Sequence, residues 1–353
     1  MNKHKARITC SLHYTFRETM QKLLTEKPSI SVFFESCRTV RRQEKKRNLP
    51  IPGLKILRVE WPGDRYYITA DRNTADNLAA EIYEKTGLDI PGHGSLLIQD
   101  ISVYPERKIK NRKPRISQIT AILSLPKAAD QLAATALDYG IGVPVVSLGE
   151  GSGLRDSLGL LRITIPAQKE IVHLLVSRYD SENMLKILIE HSYLNRPGGG
   201  FIYSTPVYSA NMDTRMVIGK QTHSASMEQM IEAIDELKGD AGWRKRSNDV
   251  KTGKVSFTRK QREITVYCPE GSAENIAACA IDAGAKGATF SRVQCLARGE
   301  QNHNTTALER VLALVPEKIA ELIADKIFNY GIDNPGQVLT IEMQEVQAAF
   351  SHV

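Results

Sequence analysis

A five-residue phrase recurs three times along this chain: Leu88-Asp89-Ile90-Pro91-Gly92, Leu194-Asn195-Arg196-Pro197-Gly198 and Ile332-Asp333-Asn334-Pro335-Gly336. Each copy reads aliphatic, Asp or Asn, any residue, Pro, Gly. One Pro-Gly marks only a turn, but three in equivalent surroundings mark an internal repeat. Each follows a helical pattern: Thr74 to Lys85 with Leu78, Ile82 and Tyr83, Ser181 to His191 with Met184, Ile187 and Leu188, and Pro316 to Asn329 with Ile319, Leu322, Ile323 and Ile327. These spacings gather apolar side chains on one helix face. Extended runs flank each pattern, such as Ile171 to Val176 before and Phe201 to Ser204 after the second.

The first half of each copy repeats the plan. Arg7 to Leu12, Ile119 to Leu123 and Ile264 to Cys268 read as strands, each leading into a helix and then into a strand near Ile30 to Phe34, Val143 to Leu148 or Ala288 to Val293. The expected fold class is therefore α+β, with three tandem ferredoxin-like (βαββαβ) units. A length of 353 residues also exceeds one ordinary core. The units are placed at 1–106, 115–220 and 261–353, with a helix and polar linker inserted at 221–260, its helix over Met227 to Leu237. Two helices cover only one face of each four-stranded sheet. The other faces would expose apolar patches, so the units are expected to bury them against each other as an intramolecular pseudo-trimer.

The middle unit, from Arg115 to Lys220, resembles a P-II nitrogen-regulatory protein. Pro126 ends the first strand, Gly140 closes the first helix, and Gly151-Ser152-Gly153 stands where that family has a Gly-x-Gly at the base of its signalling loop. Pro197-Gly198-Gly199-Gly200-Phe201-Ile202-Tyr203 resembles its phosphate-contacting loop and last strand. Glycines allow backbone amides to approach a phosphate closely. The resemblance implies a non-enzymatic signal-transduction protein that binds an adenine nucleotide (ATP, ADP or AMP) between units and regulates a protein target, such as a transporter or enzyme, through loops. The candidate ligand-binding residues are Gly151, Gly153, Arg155, Gly198, Gly199, Gly200 and Arg215. Phe201 replaces the family's lysine, and its paired C-terminal arginines are not reproduced. The loop at Leu154 to Ile165 lacks the modifiable tyrosine of some members. The first unit keeps Gly92-His93-Gly94, while the third keeps only Gly336.

The residues suggest no catalytic constellation. There is no Gly-x-Ser-x-Gly elbow, Walker-type loop or His-Glu-x-x-His helix. His173 sits in an apolar strand and reads as a core histidine; His93 sits between glycines in a loop. Cys10, Cys37, Cys268, Cys279 and Cys295 are scattered and form no metal-binding spacing, so no metal and no required cofactor are expected. The net charge of +7 permits an anionic partner, but basic runs such as Arg41-Arg42, Arg107 to Lys113 and Arg259-Lys260 fall in presumed loops and linkers. Nucleic-acid binding is the weaker alternative, and a ligand-free structural adaptor the stronger one. Without a signal-like or spanning apolar run, a cytoplasmic protein with no membrane span is expected, monomeric as a closed three-unit chain.

Overall fold

Residues 4–27, 29–44, 56–106, 112–140, 142–153, 168–213, 216–217, 255–296 and 305–352 are described in a computed structural model of the chain. The first third comprises β1 (Lys5–His13), α1 (Arg17–Thr25), β2 (Ser31–Glu44), β3 (Ile56–Asp71), α2 (Arg72–Thr86) and β4 (Gly94–Val103). Alternation in β1 sends Ile8, Cys10 and Leu12 towards Met20 and Leu24 of α1 and Leu78 and Ile82 of α2, forming the first core. Helix α2 stops where Gly87 takes a left-handed φ of 57° and donates its amide back to Tyr83.

The middle third contains β5 (Ile116–Leu123), α3 (Ala128–Asp138), β6 (Val145–Gly153), β7 (Gln168–Ser177), α4 (Ser181–His191) and β8 (Gly200–Val207), followed by the short strands β9 (Ser209–Asn211) and β10 (Met216–Val217). The last third contains β11 (Gln261–Pro269), α5 (Ala273–Asp282), β12 (Gly287–Leu296), β13 (Thr305–Pro316), α6 (Glu317–Asp333), β14 (Thr340–Val346) and β15 (Ala348–Ser351). Alanine-rich α3 and α5 pack closely on their strands to make the second and third cores. Each third lays its four principal strands side by side in the order second, third, first, fourth.

The expectation of three discrete ferredoxin-like units packed as an intramolecular pseudo-trimer is corrected by the strand pairing. The strands form one continuous 15-stranded sheet. β4 pairs with β14, β12 with β6, and β8 with β15. β9 pairs with β4, while β2 pairs with both β12 and β6. Edge strands carry unpaired amides and carbonyls that seek another strand; here the edges of each third pair with strands of the other two.

A second correction concerns the sheet face away from the helices. It is not a merely apolar surface: Arg7, Arg65, Arg310, Glu35, Glu263 and Glu342 are all buried there and linked by hydrogen bonds. Small apolar clusters flank them, including a stack of Phe33 on Tyr267 with ring centroids 3.8 Å apart. Of the inserted stretch, 255–260 is described: Val255 and Phe257 pack on the middle core, and Thr258 bridges to Ala349. The helix expected at Met227 to Leu237 lies outside the described residues. No helix among the described residues is long and apolar enough to cross a membrane.

Candidate functional site

The helix-free face is built from one repeated strand phrase. Arg7-Ile8-Thr9, Gln118-Ile119-Thr120 and Glu263-Ile264-Thr265 open β1, β5 and β11, with each isoleucine turned to its helices and the flanking polar residues turned inward. Arg7 bonds Glu342 at 3.3 Å, Gln99 at 3.2 Å and Glu263 at 3.5 Å. Tyr203 donates to Glu263 at 2.7 Å, and Gln344 donates to the same carboxylate at 2.6 Å. Arg310 pairs with Glu35 at 3.3 Å, and Tyr67 donates to Glu35 at 2.6 Å. Two arginines, Arg7 and Arg310, thus meet three glutamates in a buried face, while Arg65 bonds Ser11, Tyr67 and Gln118 beside them. Such an arrangement adds little net stability over apolar packing, but removing one partner leaves a buried charge uncompensated. His173 Nδ1 accepts from Gln118 Nε2 and lies in hydrogen-bond contact with Thr120 Oγ1, each 3.2 Å away; burial, with Arg65 next in effect, holds its pKa well below the usual histidine value. It is a core residue rather than a base.

The ligand residues expected from the sequence do not converge within the middle third. Gly151 and Gly153 lie in strand register opposite Thr289 and Gly287 of β12, not in a free loop. Gly200 is paired with Leu123, Leu123 with Glu170, and Glu170 with Leu148, so the two glycine groups stand more than about 14 Å apart, three strand spacings across the sheet. Gly198 has a φ of 74° and Gly200 a φ of 123°. A Cβ at Gly199 would collide with the carbonyl of Tyr193, and one at Gly200 with that of Ile122. Close backbone approach therefore accounts for these glycines locally. Arg155 and Arg215 lie outside the described residues.

The first third's Gly92-His93-Gly94 turn is filled by the chain itself. The Gly92 amide donates to Asp213 Oδ1 at 2.9 Å, and the buried Arg41 guanidinium pairs with the same carboxylate while lying 4.9 Å from the Trp61 ring centroid. Burial lowers the Arg41 pKa to about 10. His93 Nδ1 donates to the carbonyl of Thr86 at 2.7 Å, closing the end of α2. At the corresponding turn of the middle third, the end of β15 pairs with Phe201. Other basic residues are similarly engaged: Arg112 binds Asp76 and Asp100, and Arg259 binds Glu182.

A cavity of about 1250 Å³ lies where β2, β6 and β12 meet. Sequence reading missed it because its walls come from all three thirds. Its apolar wall includes Phe290 and Leu148, the latter 72% exposed. Seven carboxylates and five basic side chains line it. Arg38 pairs with Glu60, Asp130 and Glu170, while Arg17 pairs with Asp64. Glu309 accepts the amides of Gly271 and Ala273 at the start of α5, each at 2.9 Å. Two buried atoms on the wall, Glu35 Oε2 and Ser291 Oγ, have no hydrogen-bond partner among the described residues. The lining carries more carboxylates than cations. No group of His, Cys, Asp or Glu among the described residues is arranged to hold a metal ion.

No protein-family model matches the chain, and no curated protein does either. Among solved structures, an aspartate kinase from Synechocystis aligns over 96% of this chain and 43% of its own, at 11% identity and a TM-score of 0.22. An alkyldihydroxyacetonephosphate synthase aligns over 74% and 46% respectively, at 11% identity and a TM-score of 0.17. A BBE-like 1 variant from Physcomitrella patens aligns over 75% and 51%, at 10% identity and a TM-score of 0.16. This chain thus spans about half the length of each. Likenesses this slight carry no argument about fold or function.

Proposed function

We propose that this chain is a non-enzymatic regulatory protein of P-II-like kind, in which a small metabolite enters the cavity between β2, β6 and β12 and alters the connections that dock a protein target. The observation that supports this reading is the make-up of the cavity wall: one strand from each third, and each of those strands leads into the connection before its next strand, at 45–55, 154–167 and 297–304. A ligand touching all three strands can favour one arrangement of those connections, which is what signalling requires. The adenine nucleotide implied by the family resemblance fits this wall poorly. Polyphosphate needs free cations, and Arg17 and Arg38 already face carboxylates.

Native mass spectrometry of the purified chain, followed by calorimetric titration with ATP, ADP and AMP, tests the reading. The expected result is a co-purifying small molecule that is held more weakly when Leu148→Trp narrows the cavity, and no heat with the nucleotides. A second reading, a structural adaptor without ligand, is favoured by Asp213 filling the Gly92 turn. Wild-type protein that carries no small molecule and binds none would select that adaptor.

A further inference from the structure

We infer that Arg41 and the Gly92 amide form a carboxylate-binding seat that the chain itself keeps shut, with Asp213 as a tethered occupant that a free carboxylate must displace. None of these three residues lines the cavity between β2, β6 and β12, so the inference does not depend on the regulatory reading. Two observations carry it: the donors of the seat are assembled without its occupant, and the occupant is borne on a thin strap.

The donors all belong to the first third. Arg41 comes from β2, Trp61 from β3 and Gly92 from the turn before β4. Gly92 takes a φ of 100°, and a Cβ there would collide with the Trp61 ring, so the turn presents a bare amide beside that ring. The Gly92 amide and Arg41 Nη1 both donate to Asp213 Oδ1, at 2.9 Å and 3.2 Å, and the guanidinium also pairs with Oδ2. An amide N–H beside a guanidinium fork is the complement of a carboxylate. Arg41 is only 2% exposed, so emptying the seat would leave a buried cation without its anion, which favours any carboxylate that enters.

The occupant arrives from the middle third on a strap running from Tyr208 to Asp213. Tyr208 donates its amide to Ile98 at 2.9 Å, and β9 pairs with β4 only over Leu96 to Ile98. So short a pairing holds weakly by itself. Met212 adds one partly buried apolar side chain to the cluster around Leu97 and Val207. Asp213 is therefore a latch at the end of the strap. Tethering gives it an effective concentration of about the millimolar scale or above, which keeps out dilute carboxylates and yields to concentrated ones.

Amide hydrogen exchange of the wild-type chain in about 1 M sodium acetate, against sodium chloride at the same concentration and pH, tests the latch. Exchange at Ser209 to Asn211 should be about threefold faster in acetate, while exchange in β11 is unchanged. Thermal unfolding of Asp213→Ala tests the seat. Acetate should raise the midpoint of this variant by about 2 °C more than it raises that of wild type, or of Asp213→Ala combined with Arg41→Met. Should Asp213→Ala fail to fold, the exchange measurement on the wild-type chain decides alone. Equal exchange at Ser209 to Asn211 in the two salts, or an acetate gain shared by all three proteins, would overturn the inference.

Discussion

Gly199 and His173 show how single positions carry different kinds of information. A side chain at Gly199 would meet the Tyr193 carbonyl directly, and that turn also holds Ser124 through the Gly199 carbonyl. Gly199→Ala should therefore cost about 2–4 kcal/mol in urea unfolding, whether or not a ligand is present. A glycine kept only for a phosphate would leave stability unchanged when replaced. His173 is buried neutral, so the unfolded chain takes up a proton below its ordinary pKa of about 6.5 while the folded chain does not. Its contribution to stability is complete above that pH and is lost as pH falls, at up to about 1.4 kcal/mol per pH unit. Between pH 6.5 and 5.5 the wild type should lose stability more steeply than His173→Phe; parallel slopes would mean that the histidine is not held neutral. Its core role was legible in its apolar strand. A tight left-handed turn was legible at Gly198 to Gly200, but the close approach of Gly199 and Gly200 was not, since the carbonyls they meet belong to Tyr193 and Ile122, which only the folded turn brings close.

Helices and strands differed in how openly they could be read. The amphipathic helices stood out because their outer faces are polar, and α2, α4 and α6 fall within a few residues of the expected spans. Strand positions were also visible, but what their second faces do was not. In β1, Ile8 and Cys10 face the helices, while Arg7, of the other parity, is buried on the opposite face of a run legible only as a strand. The clue was present in the Arg, Gln or Glu standing before each Ile-Thr pair, yet its meaning depends on partners as distant as Glu342. The contact after β9 is similar: nothing in the residues around Asp213 announces Gly92 or Arg41. Removing Asp213 would leave Arg41 buried without that carboxylate. Asp213→Ala should cost about 3–5 kcal/mol, and Asp213→Ala combined with Arg41→Met distinctly less than the two single changes together. Additive costs in urea unfolding would mean that the pair is not coupled.

For the whole molecule, the three-fold internal repeat was plain in the Pro-Gly phrases, whereas the way the copies meet was not. The sequence suggested apolar faces pressed together; the chain instead joins strand edges into one sheet and lines its inner face with compensated charge. Edge pairing leaves little trace in sequence, because backbone groups make it and side chains only permit it. The cavity followed from the same joining and so escaped notice, although its lining includes Gly149 and Glu150, next to the expected Gly151. If strands from all three thirds share one ligand, they should respond to it together. Amide hydrogen exchange of the chain with its co-purifying small molecule and after that molecule has been removed tests that most directly. The account predicts slowed exchange in Phe34 to Arg38, in Leu148 to Glu150 and in Phe290 to Gln294 at once. Slowing confined to one of these stretches, or found only elsewhere in the chain, would contradict it.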